Sequence, residues 1–413
     1  MTWHFDNIRT PSSIEVFPKP ASTSGMGIFV NRRFNLIYVH AALQAFASYG
    51  GESFAFIYLL KAGIPIPLVL FSIGSLFGSR ILLRVAVLPL AKRIGLRNAL
   101  VVGIVLEGLT YPVLSQITGP GPLLAAYLAV WAVSSSIYWT TYHAYVVLIG
   151  DGKNRGAQVS ATEFAGTVVG IVAPIATGLL LTVFPPIVAF SAAGLAMACS
   201  ALPLLFLPNI AVAPEAAIPV EARRQGRLLM FADGLRAGAI HFTWYIALFV
   251  TLDSSFAAFG GALSLTGLVG ALAGLFVGRS IDLGKGRRAV QIGFAVITIA
   301  ALARIFGYPD AWSAVLANAV AAIAFPIYAT AFNSRVYTLA QRSPCPLRFH
   351  ILAEGGWDLG TATACFTAAG LVYLGFSFFW PLAVALIGCA LGYWAMAATY
   401  DLDVAPATIT EAI

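Results

Sequence analysis

Apolar stretches of about 20 residues recur along almost the whole chain, and this feature restricts its fold more than any other. A helix of that length crosses a hydrocarbon layer of roughly 30 Å while satisfying its own backbone hydrogen bonds. Of the 413 residues, 59% are hydrophobic and 10% are charged, which is too few charges to cover a soluble protein of this size. The sequence therefore predicts an all-α polytopic membrane protein.

Proline, glycine and charge clusters divide the chain into twelve predicted transmembrane helices. These start near residues 35, 66, 98, 121, 156, 185, 236, 260, 288, 311, 349 and 378. One long polar stretch divides the helices six and six, which indicates two halves. The expected segments are an N-terminal tail (1–33), a six-helix bundle (34–208), a linker (209–227), a second six-helix bundle (228–400) and a C-terminal tail (401–413).

Lysine and arginine residues alternate sharply between successive loops. Clusters follow predicted helices 2, 4, 6, 8 and 10, whereas the opposite loops offer little beyond Lys61. Because cytoplasmic loops carry the excess of basic residues, both termini are expected in the cytoplasm. Residues 1–33 also lack the apolar core and cleavage site of a signal peptide. The net charge of +7 thus reflects orientation rather than a nucleic-acid partner, and the expected location is the bacterial inner (plasma) membrane.

Local similarities indicate that the two halves are pseudo-symmetric repeats. The string ESFAF at Glu52 resembles DSSFAAF at Asp253, 201 residues later, and each follows a histidine by the same interval. The string YWTTYH at Tyr138 resembles YATAFN at Tyr328, 190 residues later. Since the two intervals differ, the alignment leaves open whether Glu52 and Asp253 lie at equal depth.

The loops after predicted helices 2 and 8 share a pattern of glycine and basic residues. The second, GRSIDLGKGRR, contains Gly278, Asp282, Arg287 and Arg288. The first, LPLAKRIGLRN, contains Arg93, Gly95 and Arg97, with Lys92 where the pattern has aspartate. With twelve helices in two halves and these loops, residues 34 to 400 resemble the major facilitator superfamily of secondary transporters.

The resemblance implies that helices 1, 4, 7 and 10 line a central cavity and that helices 3, 6, 9 and 12 face lipid. It does not name a substrate, because this fold carries many unrelated solutes. Predicted helix 5 contains GTVVGIVAPIATG, which is similar to a glycine and proline pattern of antiporter members. The alternative is a stripe of small residues that lets two helices pack closely.

Glu52 and Asp253 are the first candidates for function, since a charge within a membrane is costly and needs a partner, water or a role. By the resemblance they lie on the cavity-lining helices 1 and 7. A carboxylate in such a cavity can exchange protons near neutral pH. The pair Gly50-Gly51 would loosen the helix beside Glu52. The alternative for Glu52 is a structural ion pair with Arg80.

Further polar residues are expected at matching depths of neighbouring helices. His143 and Glu163 could pass a proton or close a gate, or they could hold two helices together by a hydrogen bond. Glu354 and Asp358 lie four residues apart on one face and are the corresponding pair of the second half. Arg80 could instead bind an anionic substrate.

Three further expectations concern other charged and aromatic side chains of the predicted helices. Arg84 is expected to pair with Glu107, and Arg304 to extend toward the membrane surface. Tyr138 and Tyr142 lie four residues apart and could form an aromatic wall against a planar or amphipathic ligand.

The predicted function is secondary active transport of a small organic solute, proton-coupled, with alternating access of two halves and with export slightly favoured. The acidic and aromatic residues favour a cationic or amphipathic solute.

A divalent-metal transporter of the same fold is the alternative, although no tight ligand spacing supports it. A membrane protein that binds a ligand or partner without transport is the alternative of another class. No enzyme motif, cofactor or resident metal is expected; the expected partners are the solute, protons and the bilayer, and the protein is expected to be a monomer.

Overall fold

The computed structural model describes residues 32–150, 155–212, 220–277 and 286–404, and within these ranges the regular structure is helical. We number the helices in chain order. They are α1 (Arg32–Ala47, a π-helical turn Ser48–Glu52, then Ser53–Lys61), α2 (Ile66–Ile94), α3 (Leu96–Leu114), α4 (Pro122–Ile149), α5 (Arg155–Val183), α6 (Pro186–Leu205), α7 (Val220–Ala237, a π-helical turn Gly238–Thr243, then Trp244–Thr251), α8 (Phe256–Val277), α9 (Gly286–Gly307), α10 (Ala311–Gln341), α11 (Pro346–Tyr373) and α12 (Phe379–Val404).

Eight of the described helices are long and apolar enough to cross a membrane. They are α2, α3, α4, α6, α8, α9, α10 and α12. The other helices fall short for local reasons: α1 and α7 are interrupted by their π turns, the apolar part described for α5 is the shorter Val168–Val183, and α11 carries Glu354 and Asp358. The protein is therefore an integral membrane protein, and the count of twelve spans stays a prediction.

Helix α7 begins much earlier than the sequence predicted. Its first residue is Val220, inside the predicted linker, whereas the predicted start was near residue 236. The first turns hold Arg223, Arg224 and Arg227, which resemble a basic loop in the sequence but form a helix here. Packing explains the difference, because this segment contacts α11 and α12, and the carbonyl oxygen of Arg227 lies against Gly356 of α11.

The short turn between α2 and α3 accounts for Gly95 of the loop motif. Gly95 has a φ of +84°, a conformation that other residues rarely adopt. The side chain of Asn209 donates to the carbonyl of Ile94 (2.8 Å) and fills the space where a Cβ of Gly95 would lie. Arg97 donates to the carbonyl of Leu207 at 2.9 Å. Gly95 and Arg97 thus fasten this turn to the end of α6.

The other residues of the two loop motifs lie at exposed helix ends or outside the described residues. Arg93 is exposed at the end of α2, and Arg287 and Arg288 are exposed at the start of α9. Gly278 and Asp282 lie outside the described residues. We call the end of the molecule with the turns after α2 and α10 the basic end, since it carries Arg93 and Arg342.

The predicted halves meet mainly along two helix pairs, α2 with α11 and α5 with α8. The α5–α8 contact is made by glycines. A Cβ added to Gly260 would lie 2.5 Å from the carbonyl oxygen of Pro174, and one added to Gly178 would lie 3.3 Å from the Cα of Gly260. Gly267 meets the backbone of Gly170 in the same way. The glycines of helix 5 therefore have a packing role, as small residues do in membrane helices.

Candidate functional site

A cavity of about 540 Å³ lies between the two sets of helices. This volume falls within the range of pockets that hold small organic ligands. Side chains of α1, α4, α7 and α10 line it, as the resemblance implied, and α2, α5, α8, α9 and α11 contribute too. Its acidic and basic lining residues, including histidines, are Glu52, Arg80, His143, Asp233, Arg236, His241, Arg304 and Glu354.

Glu52 closes the π-helical turn of α1 and lines the cavity. The turn forms beside Gly50 and Gly51, where α1 is pressed against its neighbours: a Cβ on Gly50 would lie 2.8 Å from Oγ1 of Thr177. π turns are rare and occur often at functional sites. The carboxylate accepts a hydrogen bond from Ser48 (3.1 Å), which itself accepts one from Gln44 (2.8 Å). Within the described residues, no cation lies within salt-bridge distance of Glu52.

Asp253 does not lie in the cavity, so its predicted position on helix 7 is wrong. Helix α7 ends at Thr251, and Asp253 is exposed in the turn before α8. Both Asp253 and Ser254 have positive φ (53° and 54°), which is incompatible with a right-handed helix. The 201-residue interval was therefore a chance match. The two π turns start at Ser48 and Gly238, 190 residues apart, the same interval that separates Tyr138 from Tyr328.

The acid that α7 does bring to the cavity is Asp233, which the sequence analysis missed. Its Oδ1 accepts from the Tyr328 hydroxyl (2.6 Å) and pairs with Arg236 (2.6 Å), and its Oδ2 accepts from the indole of Trp357 (2.9 Å). The guanidinium of Arg236 also lies over the Tyr328 ring at 4.7 Å. Asp and Arg spaced three apart were a usable signal, but the predicted helix started near residue 236 and left Asp233 outside it.

An ion-pair cluster joins α2 to α11 in the interior. Arg84 donates to both carboxylate oxygens of Asp358, to the hydroxyl of Thr140 and to Glu354 (3.3 Å). Nε of Arg80 lies 3.1 Å from Oδ1 of the same carboxylate. The cluster is almost fully buried, so each charge depends on its partners for compensation. Among the described residues, Arg80 thus forms its ion pair with Asp358 and not with Glu52.

The predicted pairing of Arg84 with Glu107 is wrong. Glu107 is 1% exposed on α3, and its Oε2 has no hydrogen-bond partner among the described residues. Equal distance from the basic end did not bring the two side chains together, because Arg84 points across the halves toward α11.

His143 extends this cluster toward the basic end. Its Nε2 lies 3.5 Å from Oε1 of Glu354, its Nδ1 lies 2.7 Å from the Tyr337 hydroxyl, and its ring stacks on His350 (centroids 5.5 Å apart). The structure thus joins His143 to Glu354 of the other half. The side chain of Glu163, its predicted partner, lies outside the described residues.

Tyr138 and Tyr142 both line the cavity and stack on one another, with centroids 5.6 Å apart and ring planes at 26°. Nδ1 of His40 lies 2.9 Å from the Ser200 carbonyl, so it must carry the proton that this acceptor requires. Nε2 of His40 then accepts from the Tyr138 hydroxyl at 3.1 Å. One ring of the aromatic wall is thereby fixed to α1 and α6.

Arg304 of α9 faces inward, contrary to the expectation that it extends toward the membrane surface. It lines the cavity, donates to the carbonyl of Ile240 and to Oδ1 of Asn318 (2.8 Å), and lies over the Trp244 ring at 5.1 Å. The implied lipid-facing position of helix 9 therefore does not hold at this residue.

Comparison with known proteins settles the family. A family model described as Major Facilitator Superfamily matches residues 70–344. The chain belongs to the Major Facilitator Superfamily. This confirms the resemblance seen in the loop motif and the helix pattern, and it makes the chain a secondary transporter rather than an enzyme. No curated protein matches the chain.

Solved structures of superfamily transporters share the fold. The human organic anion transporter MFSD10 (TETRAN) has a TM-score of 0.63 at 17% identity and covers 88% of this chain and 99% of its own. A POT family transporter in complex with 5-aminolevulinic acid has a TM-score of 0.60 at 14% identity, covering 91% of this chain and 96% of its own. A POT family transporter with a thioalcohol-conjugated peptide has a TM-score of 0.61 at 14% identity, covering 90% and 96%. Identities this low establish the fold alone.

Proposed function

We propose that this superfamily member is a proton-coupled secondary active transporter of a small organic solute. The observation that carries the proposal is the position of Glu52. This carboxylate lies in a π turn, lines the central cavity and accepts from a hydroxyl, and no cation of the described residues lies within salt-bridge distance. A group placed in this way can bind and release a proton as the cavity is exposed to either side.

The cavity lining supports an organic solute. The cavity is lined by the rings of Tyr138, Trp139, Tyr142, Tyr245 and Trp357. Such walls bind the flat or apolar part of a ligand while a few polar groups orient it. The structural relatives, described as organic anion and POT family transporters, are compatible with this class of solute.

Alternating access is the mechanism that we propose, with two six-helix halves and twelve membrane spans. The α2–α11 ion pairs and the His143–Glu354 contact cross between the halves and would open when the basic end opens. We propose both termini in the cytoplasm, a bacterial inner (plasma) membrane location and a monomer, as the charge pattern and architecture predict. Export remains the proposed direction, although the helix 5 glycines on which it rested pack α5 against α8.

The metal-transporter alternative finds little support in the cavity. Among the described residues, no group of three or more His, Cys, Asp or Glu side chains converges in a way that could hold a metal ion. Glu52 stands apart from Asp233, whose oxygens are occupied by Arg236, Tyr328 and Trp357. A metal site built from Glu52, Asp253 and His143 would also lack Asp253, which is exposed outside the cavity.

The test is binding measured at two pH values. Ligand-induced thermal stabilisation of the purified protein is recorded at pH 5.5 and 7.5 across organic cations, organic anions, sugars and divalent metals. We expect an organic solute to stabilise the wild type in a pH-dependent way, and Glu52→Gln to remove the pH dependence. Asp253→Asn is the matched control, because it neutralises an exposed acid outside the cavity. If Glu52→Gln retains the wild-type pH dependence, or only metals stabilise the protein, the proposal fails.

A further inference from the structure

Three arginines line the cavity, and they differ in whether a nearby carboxylate neutralises their charge. Arg80 pairs with Asp358 and Arg236 pairs with Asp233. Arg304 has no carboxylate within salt-bridge distance among the described residues. It is the cavity arginine whose charge the described residues do not neutralise.

Neutral groups hold the Arg304 side chain in place. Its amino groups donate to the Ile240 carbonyl, in the π turn of α7, and to Oδ1 of Asn318. Its Nε is buried and has no hydrogen-bond partner in the described part of the chain. Asn318 is itself fixed by Trp244, whose indole donates to the same oxygen at 2.9 Å, and by Thr266, which accepts from its amide at 2.5 Å. The guanidinium is therefore oriented but not neutralised.

The ionisable groups that the structure describes beside Arg304 do not supply a negative charge. They are Tyr245, Arg236 and His241. None of these is a carboxylate. A cation without a counter-ion in a low-dielectric cavity is costly, and a bound anion removes that cost.

We propose that the transported solute carries a compact anionic group of the carboxylate type, and that Arg304 binds it. A guanidinium presents a planar fork of donors that matches a carboxylate, and Arg304 is only partly buried because one surface borders the cavity. This assignment rests on the proposed function, and it replaces the cationic solute favoured by the sequence. Glu52, on the α1 side of the same cavity, then supplies the proton or meets a positive group of the solute.

Probes that differ only in charge test the assignment. Binding to the purified full-length protein is measured for benzoate, its neutral counterpart benzamide and its cationic counterpart benzylamine, and for succinate against succinamide. Inorganic phosphate distinguishes an organic carboxylate from any small anion. We expect at least one carboxylate to stabilise the protein while its amide does not.

Two substitutions connect that binding to Arg304. Arg304→Gln removes the charge, and Asn318→Asp supplies an internal counter-ion at the position that already accepts from the guanidinium at 2.8 Å. We expect each to weaken carboxylate binding by about tenfold or more, the loss of roughly one charge-assisted contact. Asn318→Asp retains side-chain shape, and Thr266 can donate to the new oxygen, so its melting temperature should not fall. Lys61→Gln is the control, since Lys61 is an exposed cation outside the cavity.

Three results would overturn the assignment. These are a carboxylate that binds no better than its amide, stabilisation by phosphate or benzylamine alone, or carboxylate binding that survives both Arg304→Gln and Asn318→Asp. Failure of the proposed function would look different. If carboxylates bind through Arg304 but Glu52→Gln keeps the wild-type pH dependence, the anion site stands and proton coupling falls.

Discussion

Arg84 of α2 forms a two-pronged contact with Asp358 of α11, with its Nε and Nη2 donating to the two oxygens of one carboxylate. The pair is buried, with the arginine 1% and the aspartate 0% exposed. Because α2 and α11 belong to different predicted halves, this single contact fastens one half to the other. Its loss should therefore affect both stability and the balance between conformations.

Asp358→Asn should destabilise the protein strongly. The substitution leaves Arg84 and Arg80 with much less negative charge in the interior, and breaking a buried pair costs about 3 to 5 kcal/mol. The free energy of unfolding in detergent measures the loss. Asp253→Asn serves as the control and should change it little. A double variant, Arg84→Met with Asp358→Leu, should recover part of the loss; equal or greater loss in the double variant would show that charge compensation was not the cause.

The α5–α8 crossing should not tolerate a side chain at Gly260. Gly260→Ala places a Cβ 2.5 Å from the carbonyl oxygen of Pro174, so two backbones must separate. We expect a cost of about 1 to 3 kcal/mol, the usual range for overpacking. Gly261→Ala is a matched control one residue away, where a Cβ meets nothing within 4 Å. Equal melting temperatures for the two variants would contradict the close crossing.

Tyr138→Phe should destabilise the protein by about 1 to 3 kcal/mol, because it leaves Nε2 of the buried His40 without a donor. Tyr373→Phe removes the same hydroxyl from a ring that is 80% exposed and should be nearly neutral. Thermal unfolding of both variants, compared with wild type, measures the difference. If Tyr138→Phe melts with wild type, the hydroxyl has no structural role.

Asp233→Asn should cost more than Tyr328→Phe, although the two residues share a hydrogen bond. The asparagine leaves Arg236 without a counter-ion and retains only one oxygen for three donors. The phenylalanine removes one donor and leaves the ion pair intact. A hydrogen bond to a charged group is worth about 1.5 to 3 kcal/mol, and we expect the two variants to differ by at least that much in unfolding free energy. The reverse order would show that the tyrosine, rather than the ion pair, organises this side of the cavity.

Much of the helical framework was predictable from the sequence. Predicted starts near residues 66, 121, 185 and 311 lie beside the observed starts at Ile66, Pro122, Pro186 and Ala311. Three of these helices carry proline in the first turn, where its missing donor costs nothing. The fourth is capped by Asp310, which accepts from the backbone of Ser313 at 2.9 Å. Local signals of this kind are written in a few adjacent residues.

The site was less predictable, because its positions depend on contacts between distant segments. Glu52 and Asp358 were identified as charges that a membrane helix does not carry without cause, and the structure places the first in the cavity and the second in the ion-pair cluster. The predicted position of Asp253 was wrong because a similar sequence string does not reveal that helix α7 has already ended at Thr251. The inward direction of Arg304 was missed because it depends on acceptors of two other helices, the carbonyl of Ile240 and the side chain of Asn318.

The two contacts between the halves differ in what must change for them to move. Interlocking side chains must be withdrawn before helices can slide, and the ion pairs of α2 and α11 must be broken. The contact of α5 with α8 presents a smaller obstacle, because glycine faces glycine at Gly178 and Gly260, and the hydrogen bond from the backbone of Ile175 to Ser264 (3.0 Å) involves no charge. If the halves rock as proposed, the α5–α8 contact is the pivot of the motion. The energy barrier to each transport cycle is then set by the ion pairs between α2 and α11.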